Sequence, residues 1–209
     1  MTLPEGIQYR EFDGEECLAT QGSAVYGEPV ADGWRAWDAR RSKLGAMYEL
    51  GMHPGLEEGD TVLYLGAANG TTASHVADVA RVVYAVEFAP RPVRDLLSTV
   101  ETRENVIPLL KDARKPDSYA HIVESGLDVL VQDVATRGQA RVASANREFL
   151  ADDGRLVAAI KARSEDATRD PEDVFEEALA ELRESYELLD TKRLDLFHTD
   201  HLAVVGRPR

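Results

Sequence analysis

With 209 residues, 44% of them hydrophobic, the chain is long enough for one ordinary domain and a small addition, and no stretch approaches the ~20 apolar residues of a membrane helix. Its polar, acidic start is unlike a signal peptide, and its single cysteine, Cys17, excludes an internal disulfide and a cysteine-rich zinc site, so we expect a cytoplasmic protein without a metal. A formal net charge of −14 argues against binding nucleic acid through overall charge.

The first 55 residues are predicted to form a small β-rich domain with a linking helix. Glycines and a proline separate three short β segments, at 7–12, 16–20 and 24–26. Apolar residues at helical spacing predict a helix over 38–50. Trp34 and Trp37 either belong to the core or are exposed for contact with a partner protein.

Residues 56–209 are predicted to form a second domain, in which strands and helices alternate. This alternation, with continuously apolar strands, predicts an α/β fold with a doubly wound parallel sheet. Two late strands, close enough to form a hairpin, suit the Rossmann-like seven-stranded sheet of class I methyltransferases, whose last strand runs antiparallel. Predicted strands are 61–65, 82–86, 105–109, 128–132, 155–160, 187–195 and 202–206, and predicted helices are 72–80, 91–101, 117–124, 139–149 and one that Asp170 caps.

A glycine-bearing loop follows the first strand of this second domain. Glycine lets a backbone turn sharply and approach a ligand, and the helix that starts near Thr71 offers free N–H groups. The spacing is not that of a pyrophosphate-binding loop, and an ordinary tight turn also accounts for it. The candidate residues are Gly66, Ala67, Gly70, Thr71 and Thr72.

Acidic residues follow the next two strands. Glu87 can accept hydrogen bonds from both ribose hydroxyls of a nucleoside, and Phe88 can pack on an adenine ring. Asp112 can bind an adenine amino group. Ligands of such sheets bind beyond the carboxyl ends of the strands. The glycine-bearing loop, Glu87 and Asp112, which follow three successive strands, therefore together indicate a cofactor that contains adenosine.

Further polar residues fall at the same edge of the sheet. Asp133 ends the fourth strand, Lys161 ends the fifth, His201 opens the last strand, and Lys43 precedes the sheet. Singly, such a lysine is usually solvated and such a histidine structural. Their convergence indicates the reactive end of the site.

In combination these segments resemble archaeal fibrillarins over nearly the whole chain. The resemblance implies S-adenosylmethionine as cofactor and methylation of RNA ribose 2′-hydroxyls. It also implies a catalytic set of Lys43, Asp133, Lys161 and His201, with Lys161 at the 2′-hydroxyl as base or orienting donor. The matching segments are RSKL at 41–44, LYLGA at 63–67, GTTASH at 70–75, VEFAPR at 86–91, DARKP at 112–116, QDVA at 132–135, IKARS at 160–164 and DH at 200–201.

The resemblance also implies which residues contact the cofactor. Two positions depart from the family pattern: Thr136, where glutamine is expected, and Glu165, where an apolar residue is expected. The first affects a minor cofactor contact, and the second is expected to affect a nearby loop and not the chemistry. The implied contacts are Gly66, Ala67, Gly70, Thr71, Thr72, Glu87, Phe88, Asp112, Ala113, Asp133, Val134, Ala135 and Thr136.

Family membership would imply that other molecules select the target. Fibrillarins act in a box C/D ribonucleoprotein with a guide RNA, a Nop-family scaffold and a kink-turn-binding ribosomal-type protein, so guide RNA and target RNA are the expected nucleic-acid partners. Charge distribution permits this, because acids concentrate between Ser164 and Asp190 and bases cluster elsewhere. Acidity with few lysines also suggests a high-salt cytoplasm, where surface repulsion is screened, although acidity alone can serve solubility.

Three alternatives share parts of this pattern. A small-molecule or protein methyltransferase would keep Glu87 and Asp112 but would need no lysine pair. A ribonucleoprotein subunit that binds without methylating is disfavoured by the intact catalytic set. A nicotinamide-dependent dehydrogenase is disfavoured by the loop sequence and the late hairpin.

Overall fold

Two β-sheets organise residues 3–209, the part of the chain that the computed structural model describes. The predicted domain at 1–55 thus begins two residues outside the described part. The four strands of the first sheet are β1 (Ile7–Phe12), β2 (Glu15–Gln21), β3 (Val30–Ala31) and β4 (Trp34–Ala36). They lie in the order β1-β2-β4-β3, and each pair is antiparallel.

One expectation for this N-terminal region is wrong, and one question that the sequence left open is decided. The strand predicted at 24–26 does not form, because the amides of Val25 and Tyr26 donate to the Glu28 carboxylate at 3.0 and 2.8 Å and close a turn. The interpretation of Trp34 and Trp37 as exposed partner contacts is excluded, since these side chains are only 8% and 1% exposed. Both tryptophans belong to the core.

Seven strands form the second sheet, and helices cover it. The strands are β5 (Thr61–Leu65), β6 (Val82–Glu87), β7 (Val106–Leu110), β8 (Leu127–Gln132), β9 (Leu150–Lys161), β10 (Tyr186–Arg193) and β11 (His201–Pro208). The helices are α1 (Lys43–Glu49), α2 (Thr71–Ala77), α3 (Pro90–Val100), α4 (Gln139–Ala145), α5 (Ala162–Glu165) and α6 (Pro171–Ser185). Within residues 3–209, no helix has the length and apolarity needed to cross a membrane.

The strand order confirms the predicted sheet. It runs β10-β11-β9-β8-β5-β6-β7, and β11 is antiparallel to both of its neighbours. Helix α1 is shorter than predicted, because Ser42 caps it by accepting a hydrogen bond from the amide of Gly45. The helix predicted at 117–124 is wrong: Pro116–Ser118 forms a single 3₁₀ turn, and the buried Tyr119 then turns inward to bond Asn146.

Both faces of the large sheet are buried. On one face, side chains of β5 and β9 pack against Ile7, Leu18 and Trp37 of the N-terminal region in one continuous hydrophobic cluster. On the other face they pack against α4 and α6. Strands covered on both sides read as unbroken apolar runs, which explains why β5 is buried at every position.

A buried ionic network fastens the N-terminal sheet to helix α2. Arg35 of β4 has no exposed side-chain surface, and it pairs with Glu28 and, at 2.6 Å, with Asp78 just after α2. It also donates to Ser74 of α2 at 2.8 Å. Arg103 pairs with the other oxygen of Asp78 at 2.7 Å. Two cations and two carboxylates thus balance within the interior, as buried charges require.

Beside this network lies a buried neutral histidine. Thr20 donates its hydroxyl hydrogen to Asp78 and therefore accepts from Nδ1–H of His75 at 2.7 Å, while Tyr26 donates to Nε2 at 2.7 Å. The ring stacks on Trp37, with centroids 4.8 Å apart. Burial, followed by the charges of Arg35 and Arg103, lowers the pKa of His75 well below its ordinary value.

His75 gives stability a defined pH dependence. The pKa of His75 in the folded chain lies below its unfolded value of about 6.5. As the pH falls below about 6.5, the unfolded chain therefore binds a proton at His75 that the folded chain does not bind. Stability should therefore drop by up to about 1.4 kcal/mol per pH unit below that point. Urea unfolding between pH 7.5 and 5.5 at constant salt measures it. His75→Gln should make this slope smaller, and the exposed His53→Gln should keep it; equal slopes in both variants would contradict the assignment.

Candidate active site

A cavity of about 490 Å³ opens at the carboxyl ends of the parallel strands. All four predicted catalytic residues line it, as do most of the predicted cofactor contacts. Ala67, Thr71 and Thr72 line a smaller adjoining cavity of about 280 Å³, and Gly70 lines neither. The predicted residues at the main cavity are Lys43, Gly66, Glu87, Phe88, Asp112, Ala113, Asp133, Val134, Ala135, Thr136, Lys161 and His201.

The loop after β5 requires glycine at its first position. Gly66 has φ of +82°, and a Cβ placed there would lie 2.4 Å from the carbonyl oxygen of Asp133. Its amide and that of Ala67 donate to the Val86 carbonyl at 2.9 and 3.1 Å. The loop backbone is therefore wedged between the ends of β6 and β8, where no side chain fits. Gly70 serves packing instead, since a Cβ there would meet Thr99 and Leu96 of α3.

Glu87 is fixed at the end of β6 by two backbone amides. One carboxylate oxygen accepts from Ala68 at 2.9 Å and the other from Ala89 at 2.7 Å. A carboxylate has about four acceptor sites, so each oxygen keeps one for a ligand. Phe88, which follows, is 65% exposed at the cavity wall and offers an aromatic face.

Asp112 is held in the ionised form by its neighbour. Arg114 donates to both carboxylate oxygens at 2.8 Å, and these hydrogen bonds lower the pKa of Asp112. The same guanidinium lies 5.7 Å from the ring centroid of Phe88. Asp112, Arg114 and Phe88 thus form one connected part of the cavity wall.

Two of the four predicted catalytic residues form an ion pair. Nζ of Lys43, the first residue of α1, lies 2.8 Å from Oδ2 of Asp133, and about a quarter of each side chain is exposed. The amide of Asp133 bonds to the Leu65 carbonyl at 2.9 Å, so the residue stays in line with the end of β5. The pair joins the linking segment to the sheet edge.

The other two predicted catalytic residues face each other across β9 and β11. His201 is the register partner of Lys161, so their side chains project from the same face of the sheet. Nδ1 of His201 bonds to the Thr199 carbonyl at 2.7 Å and must therefore carry the hydrogen. Burial, with the charges of Lys43 and His198, lowers the pKa of His201 despite the Thr199 bond and Asp133. A neutral ring with Nδ1–H leaves the Nε2 lone pair free to accept a hydrogen bond.

Sequence reasoning missed several residues that line the cavity. Lys111 and Arg114 flank Asp112 after β7, so the rule that found Asp112 would also have found them. Ala68 lies inside the recognised loop. Val142 projects from α4, and nothing in its sequence pattern distinguishes it from a core residue.

A doubly wound seven-stranded sheet with an antiparallel last strand, a glycine loop after its central strand and an acid after the next define a class I methyltransferase. The fibrillarin family model matches residues 8–209. The chain belongs to the fibrillarin family.

Individual relatives match over the full length. The fibrillarin-like rRNA/tRNA 2′-O-methyltransferase of Halobacterium salinarum is 66% identical over 210 residues and is covered completely, as is this chain. Fibrillarin from a fibrillarin/Nop5p complex superposes with a TM-score of 0.92 at 39% identity, over 100% of both chains. Aeropyrum pernix fibrillarin, solved with natively bound S-adenosyl-L-methionine, gives a TM-score of 0.86 at 42% identity, over 97% of this chain and 94% of that one.

Proposed function

We propose that this protein transfers a methyl group from S-adenosylmethionine to ribose 2′-hydroxyls of rRNA or tRNA, as the catalytic subunit of a box C/D guide ribonucleoprotein. One observation carries this conclusion. A single cavity is lined by Glu87 and by the Lys43–Asp133 and Lys161–His201 pairs, in a chain 66% identical to a fibrillarin-like 2′-O-methyltransferase.

The residues present fit S-adenosylmethionine. The cavity volume of about 490 Å³ falls within the ordinary range for small-molecule sites. Glu87 keeps free acceptor positions for the two ribose hydroxyls, and Phe88 offers its face to the adenine. Gly66 lines the cavity, and its missing side chain lets the loop pack against the backbone of Asp133 at the end of β8.

Substituting Gly66 should therefore impair cofactor binding. In Gly66→Ala the new Cβ must move away from the Asp133 carbonyl, which displaces the loop. Overpacking of this kind costs ~1–3 kcal/mol. A loss of ~1.4 kcal/mol in binding free energy lowers affinity 10-fold, so we expect the affinity for S-adenosylmethionine to fall about 10-fold or more. Calorimetric titration measures it. Gly59→Ala is the matched control, because Gly59 has φ of +86° and open space around it; an equal loss there would contradict the steric explanation.

Bound S-adenosylmethionine supplies a methyl group that its sulfonium already activates. What remains for this chain is to place the 2′-hydroxyl in line and to manage its proton. We assign Lys161 to that hydroxyl, as base or orienting donor. His201 can accept a hydrogen bond from the target ribose at Nε2, and Asp133 orients the amine of Lys43.

A basic rim suits this edge of the sheet to an RNA backbone. Six basic residues at this edge have no carboxylate within 4.0 Å among residues 3–209. They are Lys111 and Lys161 at the main cavity, Arg41 at the adjoining one, and Arg91, Lys115 and Arg137 in the segments that follow β6, β7 and β8. At the acidic helix α6, Arg169 pairs with Glu177 and Arg141 with Glu181. We therefore expect phosphate contacts beside the cavity despite the negative net charge.

Partner molecules complete the assembly in this proposal. A Nop-family protein is the scaffold, as in the fibrillarin/Nop5p complex. We further propose a guide RNA and a kink-turn-binding ribosomal-type protein, with the assembly acting in the cytoplasm. Base pairing then selects the target nucleotide, which explains why the chain needs only a backbone-binding rim and the catalytic cavity. Its acidic composition accords with halophilic archaeal origin, as in Halobacterium salinarum.

Guide-directed methylation tests the proposal. Labelled S-adenosylmethionine is supplied with a guide-paired RNA, with and without the purified scaffold, and the modified nucleotide is mapped. We expect one 2′-O-methyl group at the guided position, and none when the guide is mismatched. Methylation of unguided RNA by the isolated chain would overturn guide dependence. Transfer only to metabolites or proteins would overturn the RNA assignment, and cofactor binding without any transfer would indicate a non-catalytic subunit.

A further inference from the structure

The backbone N–H and C=O of Lys161 lie where the sheet loses a strand. β8 ends at Gln132, which pairs with Ala158, so the last residues of β9 have no strand neighbour on that side. The side chain of Gln139 takes the vacant place. Its Oε1 accepts from the Lys161 amide at 2.9 Å, and its Nε2 donates to the Lys161 carbonyl at 3.0 Å.

Gln139 is itself held from three directions. Its side chain is fully buried, at 0% exposure. Its carbonyl accepts from Nε2 of Gln132 at 3.0 Å, and its Nε2 also donates to Glu165 at 3.0 Å. The two Glu165 oxygens accept the amides of Gly138 and Gln139 at 2.7 and 2.6 Å, which caps helix α4. Since α5, which carries Glu165, begins directly after Lys161, the hydrogen bonds close a ring around that residue.

We propose that Gln139 is a positioning residue for Lys161 and that Glu165 locks Gln139 in its orientation. The inference rests on the proposed function, in which Lys161 acts at the 2′-hydroxyl. The two hydrogen bonds hold the peptide groups on both sides of the Lys161 Cα, one through its N–H and the other through its C=O. With His201 opposite on β11, the direction of the Lys161 side chain is then determined from both sides. Glu165 is thereby connected to the chemistry, contrary to the expectation that it affects only a loop.

A volume-conserving substitution removes the two hydrogen bonds that Gln139 makes to the backbone of Lys161, here called the clamp. Gln139→Met fills the buried space but can bond neither the amide nor the carbonyl of Lys161. In the reconstituted, guide-directed reaction at saturating S-adenosylmethionine, we expect the single-turnover rate to fall about 10- to 100-fold, the cost of a displacement of about 1 Å. Cofactor affinity should be unchanged, because Gln139 does not line the cavity.

Substitutions of Glu165 provide a second, milder test. Glu165→Ala should lower the rate in the same assay, and Glu165→Gln should restore only part of it, because its one amide oxygen can still accept from Gln139 whereas its NH2 group cannot accept from Gly138. Asp170→Ala is the matched control, since Asp170 caps α6 by accepting from Glu172 at 2.9 Å and does not contact Lys161. It should leave the rate unchanged. A wild-type rate in Gln139→Met, or an equal loss in Asp170→Ala, would overturn the proposal.

Amide exchange separates this proposal from the proposed function. Hydrogen–deuterium exchange of the peptide that contains Lys161 should accelerate in Gln139→Met and not in Asp170→Ala, whether or not the protein methylates RNA. An unchanged exchange rate in Gln139→Met would disprove the clamp. An inactive wild-type assembly with the expected exchange pattern would instead count against the proposed function alone.

Discussion

Lys161→Met is expected to lower the single-turnover rate of guide-directed ribose methylation about 10²- to 10⁴-fold, the range that a positioned proton-transfer group contributes. Lys161 is held by its register pairing with His201 and by the hydrogen bonds of its backbone N–H and C=O to the Gln139 side chain. Methionine keeps the apolar stem and removes only the amine. Binding of S-adenosylmethionine, measured by calorimetry, should persist, because the Glu87 and Gly66 contacts remain.

Lys161→Arg distinguishes the two roles open to this residue. Arginine donates hydrogen bonds but does not lose its proton, so it cannot act as a base. If Lys161 is the base, Lys161→Arg should be as slow as Lys161→Met; if it orients the hydroxyl, part of the rate should return.

Lys192→Met serves as the matched control for these variants, since Lys192 lies on β10 and bonds the Leu50 carbonyl away from the cavity. It should methylate at the wild-type rate. A near-normal rate for Lys161→Met with intact cofactor binding would contradict the assignment.

Sequence alone placed the residues that follow the parallel strands. Glu87, Asp112, Asp133 and Lys161 come at or just after the ends of apolar runs, and the carboxyl ends of parallel strands share one edge of the sheet. Chain topology therefore brings them to one cavity, whatever the details of packing. The expected roles of Glu87 and Asp112 in binding an adenosine cofactor followed from the same positions, whereas those of Asp133 and Lys161 came from the family resemblance.

Features that depend on distant partners could not be predicted. β3 and β4 have two and three residues, too few to show a period-2 pattern. β4 forms because β2 offers an edge, and β3 then pairs with β4. Gln139 looks like an ordinary helix residue until Lys161 lies beside it. The separation between such partners along the chain hides the contact from any local pattern.

The buried network around Arg35 is the strongest case of this kind, and it carries the second large prediction. Arg35→Met should lower the free energy of unfolding by about 3–5 kcal/mol, because Glu28 is left without its cation in the interior and Asp78 keeps only Arg103. Urea unfolding at constant salt measures the loss.

Arg207→Met provides the comparison, since Arg207 pairs with Glu187 where both side chains are about half exposed, and such pairs contribute about 0–1 kcal/mol. A loss below about 1 kcal/mol in Arg35→Met would mean that water or rearrangement compensates the buried carboxylates. Because Ser74 of α2 also binds Arg35, and α2 begins at the cofactor loop, the same substitution should loosen that loop. Weaker S-adenosylmethionine binding in Arg35→Met than in Arg207→Met would then show that the N-terminal sheet supports the cofactor site.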